Sequence, residues 1–297
     1  MAIRDRFDIG RSRGESYGRL QYWLADIAEH PGSHFALLAT SLVLVTPIGL
    51  ALLLTTQTTA MVYDLNYIRP GGLDIMIANY QEVLFKFGFL RLAINTLIIA
   101  GITSIGGIAL SLLAAMAIVF YDFRGKQLAF FFILLTLMVP FLIRVVPLYE
   151  LIVRLGWHDT WLGVTIPFLA TATGVFLYRQ HFKAIPVELV ETCRLDGVGP
   201  LKFLWGVLVP MTKGMSTGLG VILFISTWNA YFWPLIAINT RDKQMIQIGL
   251  RFLQSAQEGT LTQYELMMTG AVISLIPMLV LLLALRKNLL TTMGLEL

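Results

Sequence analysis

The chain has 297 residues, of which 57% are hydrophobic and only 13% charged, with 22 Lys and Arg against 18 Asp and Glu and a formal charge of +4. A soluble domain carries about 25% charged residues, so this composition excludes an ordinary globular enzyme. The basic residues flank apolar segments and never form a sustained run, which also excludes a nucleic-acid-binding tract.

The first 30 residues hold five arginines and five acids with no apolar core, so they do not read as a cleaved secretory signal. Leu20, Trp23, Leu24 and Ile27 share one helical face, while Arg19, Asp26 and Glu29 lie elsewhere. Residues 1–33 are therefore expected to form a cytoplasmic amphipathic segment, lying on the inner leaflet or packed on protein. Six charge-free stretches follow, at residues 35–63, 92–121, 127–143, 160–178, 214–240 and 266–285. Each spans or nearly spans a bilayer, which needs about 17–25 residues. Lipid offers no partner for unpaired backbone groups, so the expectation is an all-α membrane protein with six transmembrane helices, and residues 34–297 read as one membrane domain.

Counted on alternate sides of these spans, basic residues are twice as frequent on the side of Arg4, Arg124, Lys126, Arg179 and Arg194 as on the side of Arg69, Lys86 and Arg154. The positive-inside rule then places both termini and the 179–213 connection in the cytoplasm. The opposite loop at residues 56–90 carries a Pro70-Gly71-Gly72 turn signal and a helical pattern around Asn79 and Tyr80, and is long enough to meet an extracytoplasmic partner.

No phosphate-cradling GxxxxGK[ST] loop occurs, and the glycines of GITSIGG at residues 101–107 suit close helix packing instead. Gly214 and Gly218 form a small-xxx-small pair with the same meaning. HExxH, CxxC and GxSxG are absent, Cys193 is the one cysteine, and His30, His34, His158 and His181 are scattered. No catalytic residue, metal-ligand set or cofactor is expected in this chain.

Two regions carry polar chemistry. In the cytoplasmic connection, Pro186 suits a first helical turn, Glu188 and Glu191 favour its N-terminal half, Gly197 permits a bend, and Pro200 starts a second helix. Within the third stretch, Arg144 falls about 17 residues from the cytoplasmic start, or about 26 Å along an unbroken helix, in the outer half of the membrane. It reads either as a bidentate site for a carboxylate or phosphate, or as an interfacial arginine that snorkels outward or pairs with Glu150. In the fifth stretch, Trp228, Asn229, Tyr231, Phe232 and Trp233 precede Pro234. They suit sugar stacking and hydroxyl contacts, and equally an interfacial aromatic belt.

The run ELVETCRLDGVGPLKF at residues 188–203, with Pro210 after it, resembles the EAA motif of permease subunits in ATP-binding-cassette (ABC) importers. Glu191, Asp196, Gly197, Phe203 and Pro210 match it, while Thr192, Cys193 and Val198 stand where the family has alanines. Asn79-Tyr80, Asn95-Thr96 and the Trp228 to Pro234 run resemble the carbohydrate group of these permeases. ATATGVFLYRQHF at 170–182 and Ile143-Arg144-x-x-Pro147 are similar to its glycerol-3-phosphate type.

The resemblance implies a type I ABC importer permease fold in the bacterial cytoplasmic (inner) membrane. It also implies a second homologous permease subunit, two ATPase subunits that bind ATP and magnesium, and an extracytoplasmic solute-binding protein. Glu188, Glu191, Asp196, Gly197 and Phe203, within coupling helices at about 186–208, would engage the ATPase. Arg144, Trp228, Asn229, Tyr231 and Trp233 would line the path of a carbohydrate or related anion, such as glycerol phosphate or an acidic oligosaccharide. A neutral sugar is the other solute class. An ion-coupled secondary transporter is the rival mechanism, expected to show midplane acids and broken helices.

Overall fold

The computed structural model describes residues 31–64, 69–255 and 262–292, and among these every regular element is helical. The segment expected over residues 1–33 lies outside the described residues, except that residues 31–33 already belong to the first helix, α1 (Pro31–Leu54). Two short helices, α2 (Thr59–Tyr63) and α3 (Leu73–Gln81), form the loop beyond it, the second prolonged by a π turn at Glu82–Lys86. Asn79 is buried there, and its Nδ2 donates to the carbonyls of Thr55 and Gln57 at 2.9 Å each. These oxygens just past the end of α1 would otherwise lack partners.

The central element is α4 (Phe89–Phe120), 32 residues and therefore about 48 Å long. Its buried positions recur every three or four residues, from Leu92 through Asn95, Thr96, Ile99, Thr103, Gly107 and Ser111 to Ala115. Leu90, Ile94, Ile98, Ile102 and Ile105 are exposed. Lipid supplies no hydrophobic drive between helices, and the inward stripe accordingly mixes small and hydroxyl side chains that allow close approach with Leu92, Ile99 and Leu112, which pack between helices. Asn95 Nδ2 donates to the carbonyls of Asp242 (2.8 Å) and Gln244 (3.0 Å), and Thr96 Oγ1 accepts from the Ile246 amide at 2.8 Å. A Cβ added at Gly106 would stand 2.5 Å from Leu169, whereas one at Gly218 would meet open space, so within this chain Gly218 makes no close helix contact.

The third expected span is broken. Helices α5 (Lys126–Met138) and α6 (Phe141–Arg154) meet at 107° across Val139 and Pro140, so the distance to Arg144 measured along an unbroken helix does not apply. Pro140 has no amide proton to continue the ladder and biases Val139 toward an extended backbone, which it adopts. The fourth span combines α7 (Trp161–Leu169) and α8 (Ala172–Lys183). Next come α9 (Val187–Leu195) and α10 (Pro200–Met211), the latter at 80° to α11 (Lys213–Trp228). The fifth span is shorter than expected: α11 stops at Trp228, residues 229–231 interrupt it, and α12 (Phe232–Ala237) resumes. The last elements are α13 (Ile246–Ser255) and α14 (Tyr264–Thr292). Among the described residues four stretches are long and apolar enough to cross a bilayer alone, and the number rises to six if each of the two bent pairs is one span. Helices α7, α8 and α11 pack around α4, while α14 packs on α1, α11 and α13.

Candidate functional site

The breaks at 139–140 and 229–231 frame a cavity of about 630 Å³ among α4, α5, α6, α7, α11 and α12. Arg144 lines it from α6, Tyr231, Phe232 and Trp233 from the interruption and α12, and Thr103, Thr136, Thr171, Ser226 and Thr227 add hydroxyls. The volume falls in the usual range for small-molecule sites, about 300–1,000 Å³. Arg144 is exposed, and among the described residues no hydrogen bond or ion pair reaches it. Glu150, its expected alternative partner, instead approaches Arg154 at 3.7 Å. Thr103 Oγ1 is buried with no hydrogen-bond partner among the described residues.

The aromatic run divides. Trp233 is buried on the cavity wall, with its Nε1 donating to the Gly163 carbonyl at 3.0 Å and its ring edge-on to Phe141 and Phe168. The Tyr231 hydroxyl accepts from Arg251 at 3.1 Å, which fixes the ring at the rim. Trp228 lies away from the cavity in a core with Phe89, Leu92 and Leu266, stacked on Phe224 and donating to the Ser274 carbonyl at 3.1 Å. Asn229 is exposed outside the cavity, and its Oδ1 accepts from Gln247 at 3.4 Å. The five residues therefore do not form one surface, and the hydroxyls of Thr103, Thr136 and Thr171 complete the wall. In the sequence all three fall within charge-free stretches, which marked them only as span residues.

A loop anchor joins the turn before α7 to the segment after α12. Asp159, at φ 57°, accepts from the amides of Asn239 (3.0 Å) and Thr240 (2.8 Å), from the Thr240 hydroxyl (2.6 Å) and from Lys243 Nζ (2.9 Å). Bonds from Thr240 first, and then Lys243, hold its carboxyl far below the usual carboxylate range. This residue was invisible to motif reading, because the partners lie some 80 positions away.

At the other end, α9 and α10 form the bend foreseen at Gly197. Gly197 has φ 67°, its amide donates to the Arg194 carbonyl at 3.1 Å, and the Val198 amide donates to Cys193 at 2.9 Å. These two bonds make a Schellman cap, which needs a left-handed residue at this position. Asp196 sits at the helix end, and Glu188, Glu191 and Asp196 are all exposed. Phe203 is buried, edge-on to Phe120 at 5.2 Å between ring centroids and packed with Phe182 and Leu208. Arg194, which the motif did not mark, donates from Nη2 to the Phe120 carbonyl at 2.9 Å and ties α9 to the end of α4.

A helical membrane bundle with a rigid bent connection on one side and a hydroxyl-lined cavity toward the other is a transport permease in form. The chain belongs to the family of binding-protein-dependent transport system inner membrane components, whose pattern matches residues 107–293. Among its relatives, the sn-glycerol-3-phosphate transport system permease protein UgpE of Brucella abortus (strain 2308) is 37% identical over 219 residues, 71% of this chain and 77% of its own length. The proteins of the same description from Rhizobium meliloti (41% over 63% of this chain and 66% of its own length) and Escherichia coli K12 (37% over 67% and 70%) are also similar. Among solved structures, a chain of a bacterial ABC transporter involved in import of the acidic polysaccharide alginate shares the fold, with a TM-score of 0.76 and 22% identity over 91% of this chain and 98% of its own. This chain is thus an integral inner-membrane permease subunit of an ABC importer. The helix breaks expected of the rival ion-coupled class are present, but no Asp, Glu or His lines the cavity they frame.

Proposed function

We propose that this permease carries a small phosphorylated solute of the glycerol phosphate class, and that Arg144 receives the anionic group. The observation that carries this reading is the Arg144 guanidinium on a cavity wall rich in hydroxyls, with no internal acid to neutralise it. A guanidinium matches the geometry of phosphate through two parallel hydrogen bonds, and hydroxyls suit the polyol part. The names of the relatives support the same solute class.

In this reading the residues 34–297 form the membrane domain, residues 1–33 a cytoplasmic segment, and both termini face the cytoplasm. Energy enters from two partner ATPase subunits that bind ATP and magnesium. A second homologous permease completes the path, and an extracytoplasmic solute-binding protein delivers the solute. Exposed Glu188, Glu191 and Asp196 present charge to the ATPase, Gly197 keeps the bend, and Phe203 carries its movement into the bundle. Tyr231 and Trp233 shape the path, while Trp228 and Asn229 act from behind it.

The test is uptake by the complete importer in proteoliposomes supplied with its binding protein, using glycerol 3-phosphate and glycerol. Arg144→Gln should lower glycerol phosphate uptake by about tenfold or more, the loss of one charge-assisted contact. An equal small loss for both solutes would reject the anion site.

A further inference from the structure

A second cavity, of about 430 Å³, opens at the basic-rich end of the bundle, between the end of α4, the start of α5, the end of α8 and α9. Lys126, Arg179, Lys183 and Arg194 line it against a single lining carboxylate, Glu191. The Arg179 guanidinium lies 4.0 Å above the centre of the Phe130 ring, and its Nε is buried without a hydrogen-bond partner. Among the described residues no hydrogen bond or ion pair reaches Arg179 or Lys183. Lys126 and Arg194, by contrast, have internal acceptors in Asp122 (2.6 Å) and the Phe120 carbonyl (2.9 Å). The exposed Asp122 carboxyl is held below its ordinary range, by Lys126 first and by Arg194 as well.

A buried cationic donor is costly to leave unsatisfied, so the Arg179 Nε calls for an acceptor. Apart from Gln127 the rest of the wall is apolar, including Val119, Phe130, Phe182 and Val190. Beside it, α5 turns Leu128, Phe131 and Phe132 outward as exposed side chains. A free inorganic anion would leave that apolar wall unused, whereas a lipid headgroup fills the cavity while its chains run along α5. Basic pockets between helices at the cytoplasmic side suit such headgroups.

We propose that this cavity binds the phosphate of an anionic phospholipid, with Arg179 as the forked donor and Lys183, one turn further along α8, as the second cation. Glu191 borders the same space, so an occupying headgroup lies against α9.

The test uses the purified full chain, stripped of lipid in neutral detergent and followed by native mass spectrometry. The probes are dioleoyl phosphatidylglycerol, dioleoyl phosphatidylcholine and inorganic phosphate. The chain should retain phosphatidylglycerol at about tenfold lower concentration than phosphatidylcholine, and Arg179→Gln should abolish that preference. Lys183→Gln, whose side chain stacks on no ring, should weaken it severalfold and supplies an independent measurement should Arg179→Gln fold poorly. Arg124→Gln, at the same end but outside the lining, should behave as the unaltered chain. Equal retention of the two lipids overturns the proposal, as does a preference that survives both cavity substitutions or disappears with Arg124→Gln. Displacement of phosphatidylglycerol by micromolar inorganic phosphate assigns the cavity to a free anion and overturns the lipid claim.

Discussion

The two ends of α4 are fastened by different physics. Toward its start, side chains satisfy the backbone of distant loops: Asn95 bonds two carbonyls of residues 242–244, and beside them Asp159 gathers two amides, a hydroxyl and Lys243. Toward its end, Phe120 packs against Phe182 and Phe203, one polar bond from Arg194 joins α9, and the acids on α9 remain exposed. Directional bonds fix loops in one arrangement. Apolar packing holds a bent element firmly while leaving its outer surface available. The first end is a frame and the second a handle.

Four substitutions can break this contrast, in descending order of effect on stability. Phe203→Ala removes a buried ring from the packed end and should cost about 3–5 kcal/mol, seen as a large fall in the unfolding midpoint of the detergent-solubilised chain. Asp159→Asn should cost about 1–3 kcal/mol through weakened charged hydrogen bonds at the framed end. Because the folded Asp159 carboxyl titrates below its unfolded value, its contribution is complete above about pH 4 and fades as pH falls through the folded value. The gap between the unaltered chain and Asp159→Asn should therefore be constant from pH 8 to pH 5, as rough limits, and narrow only in stronger acid. A gap that instead shrank on raising the pH would contradict the anchor.

Gly197→Ala places a Cβ on a residue at φ 67° with open space around it, so the cost should be conformational only, about 1 kcal/mol. Uptake by the full importer should fall by more than that figure implies, because the bend sets how α9 is presented. Smallest in stability is Glu191→Gln, expected within about 0.5 kcal/mol for an exposed site. It should nevertheless lower ATP-driven uptake severalfold. Undiminished uptake would leave Glu191 an ordinary surface acid.

The charge-free stretches made the helical membrane class and most spans legible, and the glycine, proline and acid spacing of 186–203 gave the bend. Helix breaks were not legible. Pro47, Pro147, Pro167 and Pro277 all sit inside helices, whereas Pro140 ends one, and nothing local distinguishes them. Trp228 and Trp233 belong to one short run, yet one is sealed in a core and the other borders the cavity. The interruption at 229–231 changes which way the second faces, and that turn depends on packing with α6 and α7. Arg194 and Asp159 acquire their roles from carbonyls and amides far along the chain, which residue type alone does not announce.

The length of α4 has one more consequence. A rod of about 48 Å exceeds a hydrocarbon slab of about 30 Å, so it must lean or protrude at both faces. Since Arg194 clasps one tip and Asn95 grips a loop near the other, a thinner or thicker bilayer that alters the lean will move both fastenings at once.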